Sequence, residues 1–405
     1  MSAQVNESRT TAAAGGFFRE VMSLLKVNVR EYGMYIALFV IMLIFSILTD
    51  GLFMSSRNIS NLLDATGYIA VLAVGMTLVI VIRHIDLSVG YAAGFMGAIA
   101  AILLTQYGLP VYLTIPIILL IGLAAGLVNG FLVASVGIPA FVATLAGMLI
   151  FRGALLQVTE KTGTINVRDE YFNAIGNGYI PAIAKIGGLN LSSLLLGVIA
   201  IVLYILSQIR NRRNKLKYNF PVVSTSIFVL QLVFVSALIA YITWILAGYN
   251  GISWTVVIML LVVIVYHFLT TKTVLGRHIY AVGSNPEAAH LSGINVKKIT
   301  YVVFGSMGML SALSGILFTS RLQSASPTAG MLFELDAIAA AYVGGVSAAG
   351  GVGKVTGSII GAIVMASLSS GMNLLGVGVS YQYMIRGAVL ALAVIFDVMT
   401  RKKCA

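Results

Sequence analysis

The chain has 405 residues, 59% of them hydrophobic and only 9% charged, with a mean hydropathy of +0.99. Soluble domains carry about 25% charged residues, so the composition excludes a water-soluble globular protein and places the chain in a bilayer. The net charge of +12 would point to nucleic acid in a soluble protein, but here the cations stand at the ends of apolar runs, where they set orientation; no nucleic-acid partner is expected. Cys404 is the one cysteine and there are four histidines, which leaves no internal disulfide, no cysteine metal cage and no multi-histidine site.

In chain order, residues 1–32 read as a polar cytoplasmic arm with Arg19, Lys26 and Arg30. The first apolar run starts near Tyr32, too late for a cleavable leader. Residues 33–399 read as an all-α polytopic bundle of 10–12 spans, each near the ~20 residues a bilayer needs. The spans fall at 33–50, 62–82, 88–106, 111–134, 140–157, 191–209, 222–247, 254–271, 299–320, 333–349, 356–373 and 381–399. With the N-terminus inside, about 18 of the 25 Lys and Arg fall in inside segments, the asymmetry expected of cytoplasmic loops. Residues 400–405 form a cytoplasmic tail. The Gly- and Ala-rich 333–349 run reads either as a span or as a re-entrant, broken helix. The 158–190 segment faces the periplasm and reads as a cover for a pathway, a landing place for a soluble partner, or a connector. An internal repeat is expected, aligning Asp86–Gly90 with Gly350–Lys354, as in transporters built from two halves.

The most informative loop is 272–298. Asn285 suits an N-cap and Pro286 the first helical position. Glu287 sits at the positive end of the helix dipole, and Gly293 fits the left-handed residue past the end. That leaves about two turns, too short to stand alone in water. Ala288 and Leu291, spaced i, i+3, offer a small apolar face to a partner.

Chemistry-bearing residues are sparse. Asp86 joins two apolar runs almost without a loop, where a carboxylate needs a partner or water. Arg83 is a candidate partner, and capping of the following helix by Asp86 is favoured over direct substrate contact. His84 and Asp86 make only two of the three or four ligands a metal needs. Arg152 either snorkels to the outer interface or lines the outer mouth. Glu334 and Asp336 open a helix as dipole partners, and their closeness to Arg321 and the Ser324–Thr328 turn permits an outer gate. Asn129, Gln157, Asn373 and Gln382 either face a cavity or bond neighbouring helices. Gly350–Lys354 is no phosphate loop, because Ala348 and Val355 stand where Gly and Ser or Thr are required. No Ser/His/Asp constellation emerges.

Glu287-Ala288-Ala289-x-x-x-Gly293 resembles the cytoplasmic loop with which ABC importer permeases engage their ATPase. With Ser56–Leu63, Leu72–Met76, Ile85–Gly90, Thr144–Gly153, Gly276–Val296, Glu334–Ala340 and Ala349–Gly353, nearly the whole chain resembles the permease subunits of bacterial monosaccharide ABC importers, the xylose-type and multiple-sugar permeases above all. The resemblance implies an inner-membrane subunit, multi-pass and not itself an enzyme, that moves a sugar from periplasm to cytoplasm by alternating access. It implies three protein partners: a second copy of the chain, an ABC ATPase subunit and a periplasmic sugar-binding protein. It implies no cofactor in this chain, with ATP and Mg held by the ATPase. It assigns ATPase coupling to Arg277, Asn285, Pro286, Glu287, Ala288, Ala289, Leu291 and Gly293. Asp86, Asn129, Arg152, Glu334, Asp336 and Asn373 stand as pathway or gate candidates. A permease for branched-chain amino acids or another small solute, and an ion-coupled secondary transporter, are the competing expectations.

Overall fold

A computed structural model of the protein describes residues 29–402 other than Pro221 and Val223. The arm up to residue 28 and the last three residues lie outside the described residues. Fifteen α-helices make up the described fold: α1 Val29–Leu48, α2 Ser56–Val81, α3 Val89–Thr105, α4 Val111–Phe131, α5 Ala140–Thr159, α6 Glu170–Asn177, α7 Leu191–Lys217, α8 Thr225–Ala247, α9 Trp254–Lys272, α10 Val274–Ser284, α11 Pro286–Leu291, α12 Val296–Leu322, α13 Phe333–Val343, α14 Val355–Leu374 and α15 Val379–Lys402. The strands are two-residue pairs: β1 Ile165–Asn166 with β4 Ser324–Ala325, and β2 Lys185–Ile186 with β3 Leu189–Asn190. Nine helices in the described residues are long and apolar enough to cross a bilayer, and Gly33–Leu48 and Val89–Thr105 are shorter apolar helices. The expected all-α polytopic bundle is therefore what folds.

The bundle is centred on α2 and α12, both apolar nearly all round and buried along most of their length, as helices covered on every side are. With no hydrophobic drive between helices in lipid, close approach through small residues holds such a core. At Gly122, Gly126 and Gly308 the backbones of α4 and α12 touch, so that a Cβ on any of them would overlap the facing main chain; Gly97 and Gly315 do the same for α3 and α12. α7, α8 and α15 lie outside this core and expose long apolar side chains.

One of the expected spans, 333–349, is helical over only part of its length, and the expected span 88–106 is a continuous but short helix of 17 residues. α13 has 11 residues, about 16 Å of helix against a hydrocarbon core of about 30 Å. The 333–349 run is thus the broken alternative rather than a span. α2 ends at Val81, whose carbonyl accepts from Gly351 N–H at the same end of the bundle as α10 and α11. The chain then climbs back non-helically through residues 82–88: the His84 ring lies 5.9 Å from Phe304, and Thr144 donates to the Ile85 carbonyl at 3.2 Å. α3 starts only at Val89 and packs Ala93 and Gly97 against Gly315 of α12. From the other side, the chain leaves the outer rim at β4, descends through residues 326–332 and starts α13 at Phe333. α13 then runs down α14, Ala340 against Gly361 and Gly344 against Gly357. Residues 345–354 complete the crossing to the α10 end of the bundle, where Tyr280 Oη donates to the Gly353 carbonyl at 2.6 Å.

The two half-helices therefore run in opposite directions, and their first turns meet deep in the bundle. A Cβ on Gly90 would overlap Glu334 Oε2 and the Gly330 carbonyl, and one on Gly94 would overlap Ala329. Gly330, at φ +81°, makes the turn a side chain would resist. This is the inverted, interrupted-helix arrangement of transporter cores, but the expected register of the repeat is wrong. Asp86–Gly90 faces Gly330–Glu334, whereas Gly350–Lys354 lies at the α10 end against Arg83 and Ser284.

Candidate functional site

Three sites are built on this frame. The first is a cavity of about 420 Å³ between the outer ends of α2, α12 and α14 and the flanks of α13 and α15. Its polar wall comes from stripes on otherwise apolar helices: Asn58 and Asn61 on α2, and Ser369, Ser370 and Asn373 on α14, with Asp336, Arg386 and Arg321 between them. Arg386 grips both oxygens of Asp336, at 3.1 and 3.4 Å, and its other terminal nitrogen donates to Ser369 Oγ. Ser370 Oγ donates to Asn58 Oδ1 at 2.9 Å, and Gln382 Nε2 to Asn373 Oδ1 at 2.7 Å. Arg321 faces buried Asp64 at 3.8 Å, and Asp64 also accepts from Ser253 Oγ. Both arginines at the cavity are thus matched by carboxylates, and the remaining wall is uncharged and rich in donors and acceptors.

Residues 158–190 cover the outer end of this region. Asp169 caps α6 by accepting from Phe172 N–H at 2.8 Å, and Phe172 is fully buried beneath it. Asn177 Nδ2 donates to the Ser320 and Arg321 carbonyls at 2.8 and 3.1 Å, satisfying acceptors that the end of α12 leaves open. Ile165 and Asn166 pair with Ala325 and Ser324. The loop is folded and locked to the end of α12, not a bare connector. Burial and the nearby Asp64 carboxylate push the Tyr179 phenol in this cover above its ordinary pKa.

The second site is the meeting of the half-helices. Asp86, 2% exposed, accepts from Ser88 N–H at 2.9 Å and from Ser88 Oγ at 2.6 Å. Asn129 Nδ2 donates to Ser88 Oγ at 2.9 Å, and glycine at 147 leaves room for both. Asp86 therefore holds the turn that leads into α3 but does not cap it as expected: Ser88 is the N-cap residue, and no side chain accepts from the first N–H groups of the helix. Arg83 does not pair with it. Its backbone is left-handed, at φ 66°, and its guanidinium turns to the Gly283 carbonyl at 2.6 Å and the Ser284 carbonyl, closing the end of α10. Opposite, Glu334 is 6% exposed and its Oε2 has no hydrogen-bond partner.

The third site is the 272–298 loop. Asn285 Oδ1 accepts from the N–H groups of Glu287 and Ala288 at 3.0 and 3.1 Å, Pro286 opens α11, and Gly293 takes φ +83°. Ala289 turns inward while Glu287, Ala288 and Leu291 face out, Leu291 at 87% exposure. The sequence missed α10 before it, on which Arg277 is exposed and the Tyr280 phenol is pushed up by burial.

Of the pathway candidates, Asp336 and Asn373 meet in the outer cavity, and Asp86, Asn129 and Glu334 lie around the half-helix starts. Arg152 joins neither group; it is exposed, 5.7 Å above the Tyr91 ring. Asn58, Asn61, Asp64, Ser369, Ser370 and Arg386 were not singled out as site residues. The i, i+3/i+4 polar spacing of Ser369, Ser370 and Asn373 on an apolar helix was the signal available.

Residues 58–394 match the family described as the branched-chain amino acid transport system / permease component. The chain is 40% identical to the xylose transport system permease protein XylH of Haemophilus influenzae over 95% of this chain and 100% of that one. It is 39% identical to XylH of Escherichia coli K12 over 98% of each. It is 36% identical to the ribose import permease protein RbsC of Haemophilus influenzae, over 91% of this chain and 93% of that one. No solved structure gives a significant match.

Proposed function

This chain belongs to the family of the branched-chain amino acid transport system / permease component, and from that premise we propose that it is the membrane subunit of an ATP-driven importer that carries a monosaccharide, xylose first, across the inner membrane. The observation that carries the sugar reading is the outer cavity. Its charges are paired, Asp336 with Arg386 and Asp64 with Arg321, and the rest of its polar wall is amide and hydroxyl. A neutral polyol exchanges its water hydrogen bonds for such a wall at little net cost. A free amino acid brings two full charges, whose desolvation needs unpaired counter-charges. The names of the XylH and RbsC relatives support the same choice over branched-chain amino acids.

In this reading the sugar is handed to the outer cavity by a periplasmic binding protein seated on the 158–190 cover. It leaves toward the cytoplasm when the Gly90–Gly330 contact shears and the two half-helices part. An ABC ATPase subunit supplies ATP and Mg and drives that shear through α11. A second copy of the chain completes the assembly. The test is uptake of labelled xylose and labelled leucine by cells lacking the gene and by the same cells carrying it. Xylose uptake that depends on the gene is the expected result; restored leucine uptake without xylose uptake overturns the sugar assignment.

A further inference from the structure

A groove of about 640 Å³ runs between α4 and α12, well away from the outer cavity. Leu123 and Leu127 form one wall, and Val302, Gly305 and Met309 the other. Gly305 lacks a side chain where it faces Leu123 and Leu127, which deepens the groove. At its cytoplasmic end stand exposed Lys297 and Lys298, in the first turn of α12 behind the Asn295 cap. Neither lysine is in an ion pair among the described residues. From Lys298 to Met309 is about 16 Å along the helix, half the ~30 Å hydrocarbon thickness. The groove therefore reaches from the inner membrane surface to the midplane, the depth of one leaflet.

We propose that this groove holds an anionic phospholipid of the cytoplasmic leaflet, its headgroup phosphate at Lys297 and Lys298 and one acyl chain along Val302, Gly305 and Met309. Depth, apolar lining and the position of the cations all fit that amphiphile. A second copy of the chain is a poorer occupant, because a two-fold axis along the membrane normal would set its lysines at the same depth against these. Another basic stretch, Arg210 to Lys217 at the end of α7, carries five cations on a different helix and serves as the charge control. The headgroup would sit six residues past the end of α11, in the first turn of α12, so its occupancy would stiffen the joint between α11 and α12.

The test is native mass spectrometry of the purified full-length chain in detergent, titrated with dioleoylphosphatidylglycerol or dioleoylphosphatidylcholine. Two lysines near a membrane surface give a preference for the anionic lipid of about thirtyfold. Lys297→Gln with Lys298→Gln should remove that preference. Val302→Trp, or the gentler Val302→Phe if the first does not fold, should weaken phosphatidylglycerol binding by filling the groove. Arg213→Gln with Lys215→Gln should leave it unchanged. Equal binding of the two lipids to the unaltered chain overturns the proposal, as does undiminished binding to the folded Val302 variant or an equal loss from the Arg213/Lys215 pair. In a Cys404→Ser background, a Val302→Cys disulfide between two chains in membranes would place a second copy in the groove and overturn it as well.

Discussion

The starts of α3 and α13 face each other, yet they are finished differently. At α3, Asp86, Ser88 and Asn129 close a chain of hydrogen bonds, and Thr144 ties down the carbonyl before it. At α13, Leu332 sits in left-handed backbone at φ 67°, and Glu334 Oε2 has no partner. A left-handed non-glycine residue costs about 1–2 kcal/mol, and a buried polar atom without a partner about 1–3 kcal/mol. Its first turn is held by Phe333, packed on Tyr68 and Phe318, and by Asp336, whose partner Arg386 lines the outer cavity. The start of α3 is therefore closed by its own polar chain, and the start of α13 by contacts that reach the cavity.

The comparison breaks most severely at the crossing point. Gly94→Leu puts a side chain into the Ala329 backbone; a loss of about 4 kcal/mol or more is expected for such overlap with no room to relax, read as failure of the protein to accumulate in membranes. Next comes the drive from the cytosol. Glu287→Lys reverses a charge on the exposed face of α11, and xylose uptake should fall to background while the subunit stays in the membrane at its normal level. Normal uptake in that strain would remove α11 from the mechanism. Asp336→Ala strands Arg386 at the cavity, so uptake should drop about tenfold, the ~1.4 kcal/mol scale, with thermal stability in detergent changed less than by Gly94→Leu. The finest distinction is between the two carboxylates. Asp86→Ala should destabilise the protein by about 1–3 kcal/mol, the loss of two hydrogen bonds to Ser88, whereas Glu334→Gln should cost no stability, since Glu334 Oε2 has no partner to lose. Equal thermal shifts for these two variants would erase the difference between the two helix starts.

Much of this was legible locally. Asn285, Pro286 and Gly293 specify α11 because capping is decided within a few residues, and the structure has the cap as expected. Asp86 was placed at the entry to the next helix for the same reason, though it holds the turn before that helix rather than capping it. What failed depended on distant backbone. Arg83 was a candidate partner for Asp86, but it has a left-handed φ and its side chain goes to α10, an element read as loop because its glycines and charges interrupt the apolar run. The repeat was aligned on glycine-rich text, yet the true counterpart of Asp86–Gly90 is set by Gly90 meeting Gly330, a contact no local pattern encodes. The cavity was half seen: Asp336 and Asn373 were named, while Asn58 and Ser370 look ordinary until α2 and α14 are laid side by side.

α12 follows α11 after four residues and runs as 27 unbroken residues to the covered outer rim. Near its middle the main chains of α4 and α3 press directly on it at Gly308 and Gly315. One unbroken helix thus joins the residue after α11 to the arginine that faces Asp64, so Val296 and Arg321 belong to a single stiff body held at its waist by main-chain contacts.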